Sequence, residues 1–91
     1  MPRRVRRRIR GNFNHRCFKP CKVPGNLLET IILSHEELEA IRLADEEKLY
    51  QEECANEMEV SRATFGRILN SARAKIADAL LNGKKIIIEG E

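Results

Sequence analysis

The sequence predicts a mainly α-helical domain. We expect a helix-turn-helix arrangement of three helices with a long third helix, a short terminal β-pair and a disordered basic N-terminal arm. Three observations predict it: apolar residues recur at helical spacing in the middle of the chain, two β-branched runs flank that region, and basic residues are concentrated at the N-terminus. The 91 residues are enough for one small domain, which we divide into an arm, residues 1–25, and a body, residues 26–91.

Charge is distributed unevenly along the chain. Residues 1–25 contain nine Lys and Arg and no acidic residue, whereas the body contains eight basic residues and all 14 acidic ones. The formal net charge of +3 therefore combines +9 in the arm with −6 in the body. Such an asymmetry indicates a polyanionic partner.

Composition also excludes classes of protein. No apolar run approaches the roughly 20 residues that span a bilayer, and no apolar signal region follows the charged N-terminus. We therefore expect a cytoplasmic protein with no membrane partner. No pair of titratable residues has a pocket-forming context, so we do not expect an enzyme.

The arm is predicted in two parts. Residues 3–10 are expected to be disordered, because like charges repel and little apolar surface offsets the entropy of ordering. In the second part, Phe13, Cys17, Phe18 and Val23 are candidates for docking on the body.

Two strands enclose the body, and a capping box opens its first helix. Thr30–Leu33 is a short β-branched run, residues 86–88 are a second one, and we expect the two to pair, within one chain or across a dimer. Ser34 followed three positions later by Glu37 is a capping box, which predicts a first helix over residues 35–44.

Two further helices follow. The second is predicted over Gln51–Met58, and the third begins after Ser61, a favourable N-cap residue. The third helix continues to about residue 81, where Asn82 and Gly83 are typical of a helix end.

Residues 51–69 carry the apolar pattern of a helix-turn-helix. Cys54 and Met58 take the two core positions on the second helix, and Ala55 is the small residue where the helices approach closely. Val60 fills the turn, and Phe65 and Ile68 take the two inner positions on the third helix. Glu59 occupies the turn position that is most often Gly, which implies either a turn without positive φ or a strained residue. A structural αα-corner with no nucleic-acid role is the alternative.

The outward face of the third helix is basic or small and has no acid before Asp78. This pattern suits the major groove, because phosphates repel acids and bulky residues prevent close approach. Arg62 and Arg67 can reach guanine, and Thr64 a base or a thymine methyl; the alternative for each arginine is a solvated surface charge. The predicted DNA-binding residues are Gln51, Ser61, Arg62, Ala63, Thr64, Gly66, Arg67, Asn70 and Arg73 in the body, with Lys75 on phosphate, and Arg3, Arg4, Arg6, Arg7, Arg8 and Arg10 in the arm.

These features predict sequence-specific binding of double-stranded DNA by a transcriptional regulator. The third helix would enter the major groove, and the arm would contact phosphates or the minor groove. A homodimer is expected because one small domain reads few bases, with residues 86–88 or Leu80 and Leu81 as contacts. Two alternatives stay open: an RNA- or ribosome-associated protein, and a protein-interaction module whose acidic helices contact RNA polymerase.

Three residues of the arm raise a metal hypothesis. His15, Cys17 and Cys21 lie within seven residues, but a structural zinc or iron site generally needs four protein ligands. Cys54 is predicted to pack in the core instead. We therefore predict no cofactor, with Cys17 packed as a small apolar residue; a zinc or iron site completed by another subunit, a water or a folded-back arm is the alternative.

The chain resembles a small prokaryotic family of unknown function that is predicted to bind DNA, domain of unknown function 134. The segments SHEELEAIRLAD, YQEECANEMEVSRATFGRILNSARAKIADALLNGK and IIIEG carry the resemblance, together with CFKP in the arm. The resemblance implies DNA binding through a helix-turn-helix similar to region 4 of sigma-70-type factors, and it supplies no target. Glu59, in place of the turn glycine, and Cys21, where small or polar residues are usual, depart from the family pattern.

Overall fold

The computed structural model describes residues 8–11 and 16–89. These residues form, in chain order, strand β1 (Cys17–Phe18), a 3-10 turn (Gly25–Leu27), strand β2 (Thr30–Leu33), helix α1 (His35–Ile41) with a following π-turn (Arg42–Glu46), helix α2 (Gln51–Met58), helix α3 (Arg62–Asn82) and strand β3 (Lys85–Ile88). Helix α3 packs against α1, α2, β2 and β3. The predicted mainly helical class with a long third helix is confirmed.

The sheet has three strands, one more than predicted. Strand β3 is central, with β2 parallel to it on one side and β1 antiparallel on the other. Ile31 pairs with Ile86 and Leu33 with Ile88, so the two β-branched runs pair within one chain. The helices supply the long crossover that parallel strands require. Strand β1 has only two residues, too few to show an alternating pattern.

The helix ends follow the predicted caps. The Ser34 hydroxyl accepts a hydrogen bond from the Glu37 amide, and the Glu37 carboxylate accepts one from the Ser34 amide. The Ser61 hydroxyl accepts a hydrogen bond from the Thr64 amide at 3.1 Å. Helix α2 has the predicted bounds. Helix α3 ends before Gly83, whose φ of +65° is left-handed.

The end of α1 differs from the prediction. Regular α-helix stops at Ile41, and the next five residues form a wider π-turn. The Arg42 guanidinium donates to Glu39 on one side of this turn and to Glu47 on the other, which holds the wider spacing. Lys48, with a φ of +61°, then reverses the chain toward α2.

Two apolar clusters form the core, and α3 contributes to both. The first lies between the π-turn, α2 and the start of α3, and the second lies between the sheet and the later part of α3. The predicted inner positions of α2 and α3 are confirmed in the first cluster: Cys54, Ala55, Met58 and Phe65 are buried there, with Val60 and Ile68 packed against them. Leu80, farther along α3, is exposed and lies outside both clusters.

The predicted disorder of residues 3–10 is wrong for its last three residues. The Arg8 amide donates to the Met58 carbonyl at 3.1 Å, and Ile9 packs against the second cluster. The Arg10 amide donates to a carboxylate oxygen of Glu39 at 3.1 Å. These contacts offset the ordering entropy that the prediction counted as unopposed. Residues 3–7, Phe13 and His15 lie outside the described residues.

Candidate functional site

The candidate site is the outward surface of the first half of α3. We call it the basic face and define it as Arg62, Ala63, Gly66, Arg67 and Asn70, which lie within a continuous arc of the helix. Four of these side chains are exposed and Gly66 is half-buried. No acidic residue occurs in α3 before Asp78, so this end of the helix is positive.

The turn between α2 and α3 sets the direction of the basic face. The Val60 amide donates to the Ala55 carbonyl at 3.0 Å and the Glu59 amide to the Asn56 carbonyl at 3.2 Å. Glu59 has φ 60° and ψ 45°, a left-handed conformation that is unfavourable for a residue with a Cβ. Of the two alternatives for this position, the strained residue is therefore correct.

The start of α2 lies beside the middle of the basic face. A Cβ built on Gly66 would lie 4.0 Å from Gln51 Oε1, so these two predicted residues are neighbours. No other atom that the structure describes, apart from the helix's own nearby backbone, comes within 4 Å of that Cβ position. Packing within the described chain therefore does not require a glycine at position 66.

Hydrogen bonds connect Ser61, Thr64 and Arg67 at one side of the basic face. Ser61 Oγ donates to Thr64 Oγ1 at 3.0 Å, and Arg67 Nη2 donates to the same oxygen at 3.4 Å. Among the described residues, no ion pair joins Arg62 or Arg67 to an acidic side chain. Both guanidinium groups are thus available to an external acceptor.

Farther along α3 the basic side chains are paired. Arg73 Nη2 lies 2.6 Å from Asp45 Oδ1, and this hydrogen bond raises the pKa of Arg73. Lys75 Nζ lies 2.9 Å from Glu37 Oε1 and 3.0 Å from the Ile32 carbonyl oxygen. The phosphate contacts of Arg73 and Lys75 stay predictions. To bind phosphate, these side chains would have to leave their present partners, Asp45 and Glu37.

Glu37 is the buried centre of the pairing network at Lys75. Burial by itself would raise the pKa of this carboxyl, but hydrogen bonds from the Ser34 amide, the Ser71 hydroxyl and Lys75 hold the pKa below its ordinary value. Glu37 therefore ties α1 to α3 as a carboxylate at neutral pH.

The first described residues of the arm lie beside the α2–α3 turn. Arg8 Nη1 lies 3.1 Å from Glu59 Oε2, and Arg10 Nε lies 3.9 Å from Glu57 Oε1. These two predicted DNA-binding arginines therefore face acidic residues at the end of α2. Arg3, Arg4, Arg6 and Arg7 lie outside the described residues.

The cysteines occupy two kinds of environment. Cys54 is buried as predicted, and burial raises the pKa of its thiol. Cys17 and Cys21 are exposed, so the expectation that Cys17 is packed is wrong; its strand lies at the edge of the sheet. Within residues 8–11 and 16–89, no three His, Cys, Asp or Glu side chains are grouped to hold a metal ion.

The two surfaces considered for a homodimer differ in exposure. Ile86 and Ile88 are buried in the chain's own core, so the strand completes the domain. Leu80 and Leu81 are 75% and 82% exposed. Leu80, together with Phe18 and Ile86, lines a groove of about 330 Å³.

Fold and surface together define a class: a small, mainly helical domain whose long third helix carries a basic face and packs on a three-stranded sheet. No helix in the described part of the chain is long and apolar enough to cross a membrane. The full chain, residues 1–91, matches the family described as Protein of unknown function DUF134. The chain belongs to this family, so the predicted family membership is confirmed, whereas DNA binding and the likeness to sigma-70 region 4 stay predictions.

Curated relatives of the chain are called UPF0251 proteins. One from Thermoanaerobacter sp. (strain X514) is 58% identical over 91 residues, which cover 99% of this chain and 80% of that protein. One from Vibrio parahaemolyticus is 46% identical over 88 residues, 97% of this chain and 92% of that protein. One from Prosthecochloris aestuarii is 55% identical over 84 residues, 92% of this chain. The chain spans about half, 54%, of the length of that last relative. No solved structure matches this chain.

Proposed function

We propose that this protein binds double-stranded DNA at specific sequences and acts as a transcriptional regulator, with α2, its turn and α3 serving as a helix-turn-helix. The observation that carries the proposal is the basic face. Arg62 and Arg67 are exposed, without acidic partners among the described residues, in a body of net negative charge.

The arrangement of side chains on this face suits the major groove. An α-helix fits into that groove, and an arginine can form two hydrogen bonds with guanine O6 and N7. Arg62 and Arg67 are separated by more than one helical turn, so they address different base pairs. Ala63 and Gly66 lie between them and allow the helix backbone to come close.

Two further groups support contacts with the DNA backbone. Gln51 is the first residue of α2 and lies next to Gly66, where its amide and the positive helix end can meet a phosphate. The arm contributes arginines that would bind phosphates irrespective of base sequence. Of these, Arg8 and Arg10 would have to exchange Glu59 and Glu57 for phosphate.

Selection of bound duplexes from a random library tests the proposal. We expect enrichment of a short guanine-containing motif by the unaltered chain and loss of that enrichment when Arg62 and Arg67 are both replaced by Ala. Arg73→Ala is the comparison variant: Arg73 is paired with Asp45 and its predicted contact is with phosphate, so the enriched motif should be unchanged in this variant even where affinity falls. No enrichment over the starting library, or stronger binding of structured RNA than of the selected duplex, would contradict the proposal.

A further inference from the structure

We infer that two copies of this chain meet through the groove at the C-terminal end of α3, and that this two-fold dimer recognises an inverted repeat with half-site centres one turn of B-DNA apart. We call the surface the Leu80 groove and define it by Phe18, Leu80 and Ile86, with Lys19 and Lys84 among the other residues that line it. The contact between copies does not need DNA, whereas the inverted repeat rests on the proposed function.

Exposed apolar side chains come together in the Leu80 groove. Phe18 is 57% exposed and Leu80 is 75% exposed, although both line the same groove. Strand β1 contributes Phe18, and the last turns of α3 contribute Leu80. Neither side chain belongs to either core cluster. Contiguous exposed apolar surface of this kind is typical of an interaction site.

The Leu80 groove has both parts of a contact between identical surfaces. In a two-fold dimer each patch meets its own copy, so the patch needs a projecting side chain beside a recess that receives it. Leu80 projects into solvent, and the groove beside it has a volume of about 330 Å³. This volume exceeds that of an apolar cavity of about 150 Å³ that accommodates benzene. Leu80 of each copy therefore fits into the groove of the other.

The charges around the Leu80 groove allow a copy to approach its own kind. Lys84 Nζ lies 3.0 Å from Asp78 Oδ2 and 3.2 Å from Glu29 Oε1. Together with Lys19, these groups carry no net charge. The basic face of α3 and the glutamate-rich outer side of α2 each have one sign of charge, so two copies of either surface would repel each other. A neutral apolar groove therefore favours a second copy over a strongly charged partner.

The direction of Leu80 keeps the basic face open to DNA in such a dimer. Successive residues of an α-helix turn by about 100°, so Leu80 projects about 70° from the centre of the basic face, and Leu81 projects within about 30° of it. A contact at the side of α3 allows a two-fold axis parallel to the direction in which the basic face points. Both basic faces then lie on the same side of the dimer, whereas pairing through Leu81 would turn them toward each other.

The length of α3 sets the spacing of the two basic faces. Gly66, at the centre of the basic face, and Leu80 are 14 positions apart, which corresponds to about 21 Å along the helix. Two copies that meet at Leu80 therefore hold their basic faces up to about 42 Å apart, and closer as the two helices are inclined to each other. Adjacent major grooves on one side of B-DNA are about 34–36 Å apart, which is within that reach.

Sedimentation equilibrium of the full chain without DNA tests the contact. We expect a dimer of the 10.5 kDa chain at a concentration of about 100 μM, the range of a small interface. Leu80→Gln should weaken dimerisation at least about tenfold, because each copy loses the burial of a leucine side chain. Phe18→Ser, on the opposite side of the groove, should have an effect of the same direction.

Leu81→Gln is the matched control. It makes the same change at the next residue of the same helix, which is 82% exposed and does not line the groove, and it should leave the dimer dissociation constant unchanged. Circular dichroism checks that each variant keeps its helices. An unaltered chain that stays monomeric at about 100 μM, or an equal loss of dimerisation in Leu80→Gln and Leu81→Gln, would overturn the contact.

Selection from the random duplex library then tests the repeat. The unaltered chain should enrich an inverted repeat with half-site centres about 10 base pairs apart, and Leu80→Gln should enrich a single half-site. A single half-site or a direct repeat enriched by the unaltered chain would overturn the two-fold arrangement and leave the proposed function standing. A chain that dimerises but enriches no duplex would overturn the proposed function and the repeat, and leave the contact between copies standing.

Discussion

The left-handed Glu59 gives the sharpest test of the turn between α2 and α3. At φ 60° and ψ 45°, the Cβ of this residue approaches its own carbonyl oxygen, which costs about 1–2 kcal/mol. Glycine avoids that cost but loses about 0.5–1 kcal/mol through greater freedom in the unfolded chain. The comparison of Glu59→Gly with Glu59→Ala isolates these effects, because both variants lose the ion pair with Arg8.

The two contributions leave Glu59→Gly more stable than Glu59→Ala by about 1 kcal/mol, taking the upper part of the strain range. Asn56 is the matched control, since it is exposed within α2. At an ordinary helical position, Gly is less stable than Ala by about 1 kcal/mol. The difference between Gly and Ala should therefore change sign between positions 56 and 59.

Thermal unfolding of the four variants measures the effect. A difference of 1 kcal/mol shifts Tm by about 4–8 °C in a domain of this size. Urea unfolding at 25 °C checks that the slope with denaturant is the same for each pair, so that a change in midpoint reports stability. An Ala variant at position 59 that is more stable than the Gly variant by as much as at position 56 would refute the left-handed turn and the helix geometry that depends on it.

Three further predictions follow from the basic face, the arm and the buried carboxylate. Arg67→Ala should weaken binding to the selected duplex by about 5- to 150-fold, from the loss of a bidentate contact worth about 1–3 kcal/mol, with little change on random DNA; equal losses on both in a titration would exclude base readout. Deletion of residues 2–7, which keeps the hydrogen bonds from the Arg10 and Gly11 amides to Glu39, should lower the slope of log affinity against log salt by up to about 3.6, or 0.9 for each of four arginines; an unchanged slope would exclude arm contacts with phosphate. The pKa of Glu37 is lowered in the folded state, so its stabilisation should be complete above the ordinary glutamate pKa and lost as pH falls through the folded value. Glu37→Gln should flatten that acid dependence in urea titrations, and an acid dependence that is unchanged in this variant would contradict the stabilising role of the Glu37 carboxylate.

Much of the fold was predictable because its determinants are local. The capping box at Ser34 and Glu37, the cap at Ser61 and the stop at Gly83 each act within a few residues. The pairing of Thr30–Leu33 with the last strand was also predictable, since both runs are β-branched and neither is stable alone. The inner residues of α2 and α3 followed from helical periodicity.

The errors arose where partners are distant in sequence. The hydrogen bonds from the Arg10 and Gly11 amides to Glu39 join residues 29 and 28 positions apart, and nothing in an arginine-rich segment indicates that a buried carboxylate will accept its backbone amides. The π-turn depends on Arg42 reaching both Glu39 and Glu47, a bridge that periodicity does not report. The available signal was that Glu39 lies on the same side of α1 as apolar residues. Counting Glu39 only as one of the body's acidic residues did not reveal that it is buried.

The candidate site was predictable in composition and less so in pairing. Exposure of Arg62 and Arg67 followed from their position opposite the apolar arc of α3. The partner of Arg73 did not, because Asp45 lies in the π-turn, whose path the sequence did not reveal. The structure thus separates basic residues that the sequence treated as one group.

Lys75 has a consequence for how copies of this chain meet. Strand β2 is at an edge of the sheet, where open backbone groups invite another strand to add. The Lys75 ammonium donates hydrogen bonds to the Ile32 carbonyl on that edge and to the Glu37 carboxylate. A second chain would have to displace this paired ammonium before its backbone could add there, so the lysine that joins helix to strand also disfavours strand addition at this edge.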